Sequence, residues 1–251
     1  MTLSVIVIAR NEAAVLARGL TSVRWADEII VMDAASTDGT PDIARKLNAK
    51  VTTTVDWPGF GAQKNRALDL ATGDWVLSLD ADEWITPELR AEIERTLAAP
   101  GDNVAYKIPR LSSYCGRFMR HSGWWPDYVT RLFRRGAARF SDDLVHERLI
   151  VEGAVGTLRE SLLHEAIVDL ADALEKMNSY STAGATMQFE RGKTASLTSA
   201  VAHGAWTFVR TYILRGGFLD GRAGFMLAVS NAEGAYYRYL KLMMLREKRD
   251  G

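Results

Sequence analysis

The sequence predicts an α/β chain built on a mostly parallel, Rossmann-like sheet and followed by a helical C-terminal extension. Three observations carry that reading. Apolar runs alternate with amphipathic segments through the first hundred residues in a βαβα rhythm, which implies a parallel sheet covered on both faces. From about residue 104 the pattern changes to short strands and turns rich in arginine and aromatic residues. Segments 169–190, 197–214 and 223–245 then carry apolar residues at helical spacing.

In order, 3–9 reads as a strand, 12–23 as a helix, 28–33 as a strand and 40–47 as a helix. A third strand over 50–55, a helix over 61–70 and a fourth strand over 75–80 complete the rhythm. Thr86-Pro87-Glu88 supplies a cap and a first-turn proline for the next helix. The expected organisation is therefore 1–100 and 101–168 as two halves of one α/β domain, with 169–251 as the extension.

Composition bounds the function. With 251 residues, 47% of them hydrophobic, the chain can bury a full core. Lys plus Arg and Asp plus Glu balance at 31 each, so no global field favours nucleic acid, although the last fifty residues are net cationic. One cysteine, Cys115, excludes an intrachain disulfide framework and a cysteine zinc cluster, and fits a cytosolic setting. The N-terminal run reads as a first strand rather than a signal peptide. No stretch approaches the roughly 18 to 20 uninterrupted apolar residues of a membrane span, so any membrane contact is expected to be peripheral.

The richest segment is Trp75-Val-Leu-Ser-Leu-Asp-Ala-Asp-Glu83, a buried-type strand that runs into Asp80 and Asp82. Carboxylates concentrated at a strand end call for a cation, and Mn²⁺ or Mg²⁺ takes such oxygens together with substrate phosphates. In parallel sheets ligands collect at the carboxyl ends of the strands, so segments 9–12, 33–36 and 80–82 should meet in space. Ser36 to Gly39 reads as turn and capping chemistry, whereas Asp33 ends an apolar strand as a pure acceptor facing the expected cleft. Neither Gly-x-Gly-x-x-Gly spacing nor a Walker lysine loop is present, which disfavours a nicotinamide dinucleotide fold.

Two regions stay open to more than one reading. Tyr106, Tyr114, Phe118, Trp124, Trp125, Tyr128, Phe133 and Phe140, interleaved with Arg110, Arg117, Arg120, Arg131, Arg134 and Arg135, suit single-stranded nucleic-acid binding, an acceptor pocket for a sugar, or a β-rich core. Residues 197–214 and 223–245, joined by Arg215-Gly-Gly-Phe-Leu-Asp-Gly-Arg222, are unusually apolar with flanking arginines. They suit docking on an anionic leaflet, or helix packing and homo-oligomerisation.

Ser4-Val-Ile-Val-Ile-Ala-Arg-Asn-Glu12, Val31-Met-Asp-Ala-Ala-Ser-Thr-Asp-Gly-Thr40, Gln63-Lys-Asn-Arg66 and Leu77-Ser-Leu-Asp-Ala-Asp-Glu83, in that order, resemble the nucleotide-sugar region of the family 2 glycosyltransferases, which have the GT-A fold. Thr130-Arg-Leu-Phe-Arg134, Val145-His-Glu147 and the tail from Leu214 to Gly224 look most like the bacterial lipopolysaccharide-core β-glucosyltransferases. The resemblance implies an inverting, metal-dependent transfer of a hexose, glucose foremost, from a UDP-sugar to a lipid-linked saccharide at the inner membrane face. It implies that Asp33 contacts uracil or ribose, that Ala9, Arg10 and Glu12 wall the nucleoside, and that Lys64 approaches the base or the diphosphate. Asp80, Ala81 and Asp82 would form the diphosphate and metal motif, with Asp82 the direct ligand and His164 an additional one unless it is simply a satisfied histidine. Glu147 is the expected general base, with Asp127 and Asp143 as alternatives, because the chain lacks the Glu-Asp base motif of many relatives. Arg110, Trp124, Trp125, Arg131 and His146 are the expected acceptor contacts. The competing readings are a nucleotidyltransferase and a non-catalytic sugar-nucleotide-binding module.

Overall fold

The computed structural model describes residues 1–141 and 148–250. The expected rhythm is present: β1 (Leu3–Ala9), α1 (Leu16–Ser22), β2 (Glu28–Asp33), α2 (Thr40–Lys46), β3 (Lys50–Thr53), α3 (Phe60–Asp69) and β4 (Trp75–Asp80). There follow β5 (Glu83–Ile85), α4 (Pro87–Ala98), β6 (Asn103–Tyr114), β7 (Arg117–Phe118), β8 (Asp127–Arg134), β9 (Ala138–Phe140), β10 (Leu149–Val151), β11 (Ala154–Thr157) and β12 (Leu162–Ile167). The chain ends in α5 (Leu170–Glu190), α6 (Leu197–Val209), a π-helical turn (Arg210–Leu214), a 3-10 turn (Gly217–Asp220) and α7 (Gly221–Asp250).

The chain divides into two compact units, 1–110 with 127–164 and 111–126 with 165–251. Residues 111–126 group with residues 165–251 in the second unit.

In the first unit the sheet runs β3-β2-β1-β4-β8-β6. The first four strands are parallel and β8 and β6 join antiparallel. Strands β1, β2 and β4 are apolar at successive positions because both faces are covered. Val5, Val7, Val31, Leu77 and Leu79 pack with Leu16 and Leu20 of α1 and Leu89 and Ile93 of α4 on one side. Ile6, Ile8, Ile30, Met32 and Val76 pack with Ala67 and Leu68 of α3, Phe133 and Phe140 on the other. Helix α4 starts where its cap requires, with Thr86 Oγ1 accepting from the Leu89 N–H at 3.2 Å and Pro87 in its first turn.

Helix α1 begins at Leu16, later than the sequence pattern implies, and the reason is local. The backbone N–H groups of Asn11, Glu12 and Ala13 donate to Ser36 Oγ (2.9 Å), Thr40 Oγ1 (2.8 Å) and Asp38 Oδ2 (3.0 Å). Those hydrogen bonds lace the exit loop of β1 to the exit loop of β2 and hold it out of the helix. Asn11 takes the left-handed conformation at φ 57° and accepts in return from the Thr37 N–H at 2.9 Å.

In the second unit α5, α6 and α7 form a helical assembly. Lys241 pins α7 to α5 by donating to Asn178 O, Asn178 Oδ1, Ser181 Oγ and Thr182 Oγ1 at 2.7–3.0 Å. His203 of α6 stacks on Tyr239 of α7 with ring centroids 3.9 Å apart. The expected helix over 197–214 changes pitch at Arg210, where the Arg215 N–H donates to the Arg210 carbonyl at 2.9 Å, five residues back. The turn into α7 closes tightly, since a Cβ at Gly224 would lie 1.8 Å from the Gly217 carbonyl. Buried Asp220 anchors it by accepting from the Arg120 and His121 backbone N–H groups at 3.2 and 3.0 Å.

Candidate active site

The sheet register brings two of the strand-end carboxylates to either side of β1. Ala9 pairs with Asp33 on β2, and Ile8 pairs with Asp80 on β4. Asp33 is 1% exposed. Its Oδ2 accepts from the Ser36 N–H at 3.2 Å, while its Oδ1 is buried with no partner among the described residues. A buried carboxyl oxygen left without a partner is costly, so this atom suits a donor that the described residues do not supply. Ala9 is buried at the strand end, Arg10 is exposed and Glu12 is half-buried in the laced loop.

Asp80 is the hub of a charge network. Lys64, 4% exposed on α3, places Nζ 3.0 Å from Asp80 Oδ1, and Arg131 Nη2 donates to Asp80 Oδ2. Arg131 Nη2 also meets Glu83 Oε1 at 2.6 Å, and Arg110 Nη1 lies 3.4 Å from the same oxygen. The Asp80 N–H donates to Glu83 Oε2 at 3.0 Å. Burial resists ionisation of Asp80, but Arg131 and Lys64 outweigh it and hold the carboxyl far below the usual carboxylate range. Burial likewise works against charge on Arg131, and Asp80 and Glu83 reverse it, raising the guanidinium above its ordinary value.

Ala81 is buried, and beyond it Asp82 turns a different way. Asp82 Oδ2 lies 3.2 Å from His164 Nε2, so residues 82 positions apart in sequence present one oxygen and one nitrogen together. Adjacent ligands on an octahedral Mn²⁺ or Mg²⁺ stand about 3 Å apart, so this donor pair fits a divalent cation. Among the described residues no group of three or more His, Cys, Asp and Glu side chains converges, so a cation held by Asp82 and His164 would take its other ligands from phosphate and water. Asp80 has both oxygens engaged by protein cations, Oδ1 by Lys64 and Oδ2 by Arg131.

A cavity of about 360 Å³ opens beside Asp80, with Lys64, Arg110, Thr130, Arg131, Phe140 and Arg148 in its wall. Asp127 sits at the start of β8 and receives Arg110 Nε at 3.0 Å and Nη2 at 2.7 Å. Glu147, Asp143 and His146 lie outside the described residues, whereas the flanking Ser141 and Arg148 pair, the Ser141 N–H donating to the Arg148 carbonyl at 2.8 Å.

The residues expected at the acceptor are placed as follows. Arg131 is 6% exposed and pairs with Asp80 and Glu83 on the cavity wall. Arg110 is engaged with Asp127 and Glu83 but stays on the cavity wall. Trp124 and Trp125 belong to the second unit, where Trp124 packs edge-on to Tyr114 and Trp125 lies under Arg120. Two residues of the site, Glu83 and Arg148, do not emerge from sequence reasoning. Glu83 closes the acidic strand-end motif without a role of its own there, and only Arg110 and Arg131, distant in sequence, reveal it as a buried counterion.

The glycosyl transferase family 2 model matches residues 4–159, which contain the strand-end carboxylates and the network around Asp80. The chain belongs to that family. Over nearly its whole length this family 2 transferase is 32% identical to an uncharacterized glycosyltransferase of Rickettsia felis, covering 98% of this chain and 89% of the relative. It is 31% identical to the lipopolysaccharide core biosynthesis glycosyltransferase LpsC of Rhizobium meliloti, covering 96% of this chain and 90% of that one. Among solved structures, S. aureus TarS 1–349 in complex with UDP-GlcNAc superposes with a TM-score of 0.52 at 15% identity, covering 99% of this chain and 92% of that one. That likeness shows the GT-A fold, as the sequence predicts. Among the described residues of the transferase, no helix is long and apolar enough to cross a membrane.

Proposed function

We propose that this family 2 transferase moves a hexose, glucose the expected one, with inversion from a UDP-sugar to a lipid-linked saccharide such as the lipopolysaccharide inner core. The contact between Asp82 and His164 carries the reading, because it joins two cation donors from distant elements at the end of the strand that holds Asp80. The relation to LpsC, whose name assigns it to lipopolysaccharide core biosynthesis, supports the acceptor class.

The roles follow from chemistry. Asp33 Oδ1 accepts from a base imide or a ribose hydroxyl. Lys64 and Arg131 keep Asp80 ionised and fixed. A Mn²⁺ or Mg²⁺ ion on Asp82 and His164 would neutralise charge on the departing diphosphate. Glu147 takes the proton of the acceptor hydroxyl as that oxygen bonds to the anomeric carbon and the bond to the diphosphate breaks. Inversion follows from this single displacement.

The turn between α6 and α7 supports peripheral contact with an anionic leaflet. Ile213, Leu214, Phe218 and Leu219 are each more than half exposed there, with Arg210, Arg215 and Arg222 beside them.

Calorimetry with UDP, UDP-glucose, UDP-galactose, GDP-mannose and NAD, each with and without Mn²⁺, tests the donor assignment. Metal-dependent binding of uridine nucleotides is expected, and Asp82→Ala should remove the metal dependence. Absence of uridine binding under every metal condition would sink the proposal.

A further inference from the structure

The second unit contains a cavity of about 530 Å³ walled by α5, the end of α6, the π-helical turn, α7 and residues near 114 and 122–124. Lys176, Arg210, Arg215 and Arg238 line it, and among the described residues no Asp or Glu does. Lys176 is partly answered by Asp172 Oδ2 at 3.0 Å and the Ala166 carbonyl at 2.7 Å. Arg238 keeps a buried Nε–H with no hydrogen-bond partner among the described residues. A dry donor on a cation, in a wall without carboxylates, calls for an anionic acceptor.

The backbone is shaped to hold these guanidinium groups. Gly123, at φ +79°, leaves the space that Arg215 fills, for a Cβ there would come within 2.3 Å of Arg215 Nη1. Gly184 on α5 does the same for Arg238, where a Cβ would lie 2.8 Å from Cδ. The π-helical turn also contributes. In an α-helix residues five apart point about 140° away from each other around the axis, and closing the hydrogen-bonded ring one residue later turns Arg210 and Arg215 toward one wall.

The cavity is far larger than a phosphate ion needs and falls within the range of small-molecule pockets. Ser181, Thr211, Ser230 and Asn231 add uncharged donors and acceptors suited to hydroxyl groups, and Trp124 adds a ring against which a pyranose face can pack. We propose that this cavity binds a phosphorylated saccharide, with Arg210, Arg215 and Arg238 receiving the phosphate and the hydroxyl-bearing wall receiving the sugar. The inference goes beyond the donor reading, since every residue it uses belongs to the second unit.

Such a group can come from a soluble sugar phosphate or from the headgroup of a membrane lipid. The full chain is titrated calorimetrically with glucose 1-phosphate, glucose and inorganic phosphate. In parallel it is floated with phosphatidylcholine vesicles with and without phosphatidylinositol 4-phosphate. Glucose 1-phosphate should bind more tightly than inorganic phosphate, and glucose should not bind measurably. Arg210→Gln, at an exposed position, and Arg215→Gln should each weaken binding at least about tenfold, the worth of one charge-assisted hydrogen bond. UDP affinity should stay unchanged in both variants, so failure of the donor assignment would register separately. Flotation that requires the phosphoinositide and is competed by glucose 1-phosphate would assign the cavity to a lipid headgroup, and soluble binding alone would assign it to a free sugar phosphate. Glucose 1-phosphate and phosphoinositide vesicles that both fail to bind, or that bind the two arginine variants as well as the parent, would overturn the proposal.

Discussion

The two units manage clustered charge in opposite ways. Around Asp80 the chain supplies both signs itself, with Asp80, Glu83 and Asp127 set against Lys64, Arg110 and Arg131. In the helical unit Arg210, Arg215 and Arg238 line a cavity that no carboxylate of the described residues lines. A neutralised network spends its electrostatics on holding geometry, so removing a member damages the fold. An unneutralised cluster holds its electrostatics for a ligand, so removing a member should damage binding alone.

The contrast can be broken most forcefully at Arg131. Arg131→Met leaves half-buried Asp80 with Lys64 and buried Glu83 with Arg110 at 3.4 Å, and such a loss costs about 3 kcal/mol, readable by urea unfolding. Adding Glu83→Gln should recover part of that loss. An unfolding midpoint indistinguishable from the parent's would show that the network is not structural. Next in size is Glu147→Gln, expected to lower turnover at least about a hundredfold with UDP affinity intact, as measured by UDP release against calorimetry. Retained turnover would transfer the base role to Asp127 or Asp143.

The smallest effect sharpens the comparison with a third, fully satisfied acid. Glu28 accepts from Ser4 Oγ at 2.6 Å, Lys50 Nζ at 2.7 Å and the Thr72 N–H at 2.9 Å. Burial opposes its ionisation, yet these partners outweigh burial and bring its pKa to about 2 from an ordinary 4.5. Because the folded value is the lower one, its stabilisation is complete above pH 4.5 and fades as pH falls toward about 2. Glu28→Gln should cost about 1–3 kcal/mol at neutral pH and progressively less through that window. A penalty that persists unchanged at the acid end would refute the linkage.

The sequence made β1, β2 and β4 legible to the residue, because strands buried on both faces are apolar without interruption and end abruptly at Ala9, Asp33 and Asp80. Helix α1 was less legible, since its first turn is claimed by side chains of another loop, and no periodicity registers that competition. The site divides the same way. Asp33, Asp80 and Asp82 announce themselves as acids at strand ends. Arg131 gives no such sign, since an arginine on a strand reads alike whether it faces solvent or a buried pair of carboxylates. The place of residues 111–126 was hidden as well. They join the C-terminal helical segments through contacts such as the His121 N–H to Asp220 Oδ2 at 3.0 Å, which span about a hundred positions of sequence.

The register that seats β1 between β2 and β4 makes the sheet a ruler. The backbones of Asp33 and Asp80 stand two strand spacings apart, about 10 Å, and that interval is set by backbone hydrogen bonding rather than by any adjustable side chain. Their partners on β1, Ala9 and Ile8, are successive residues, so the two side chains start from opposite faces of the sheet. A molecule that engaged both would have to cross the end of β1 rather than lie along one face.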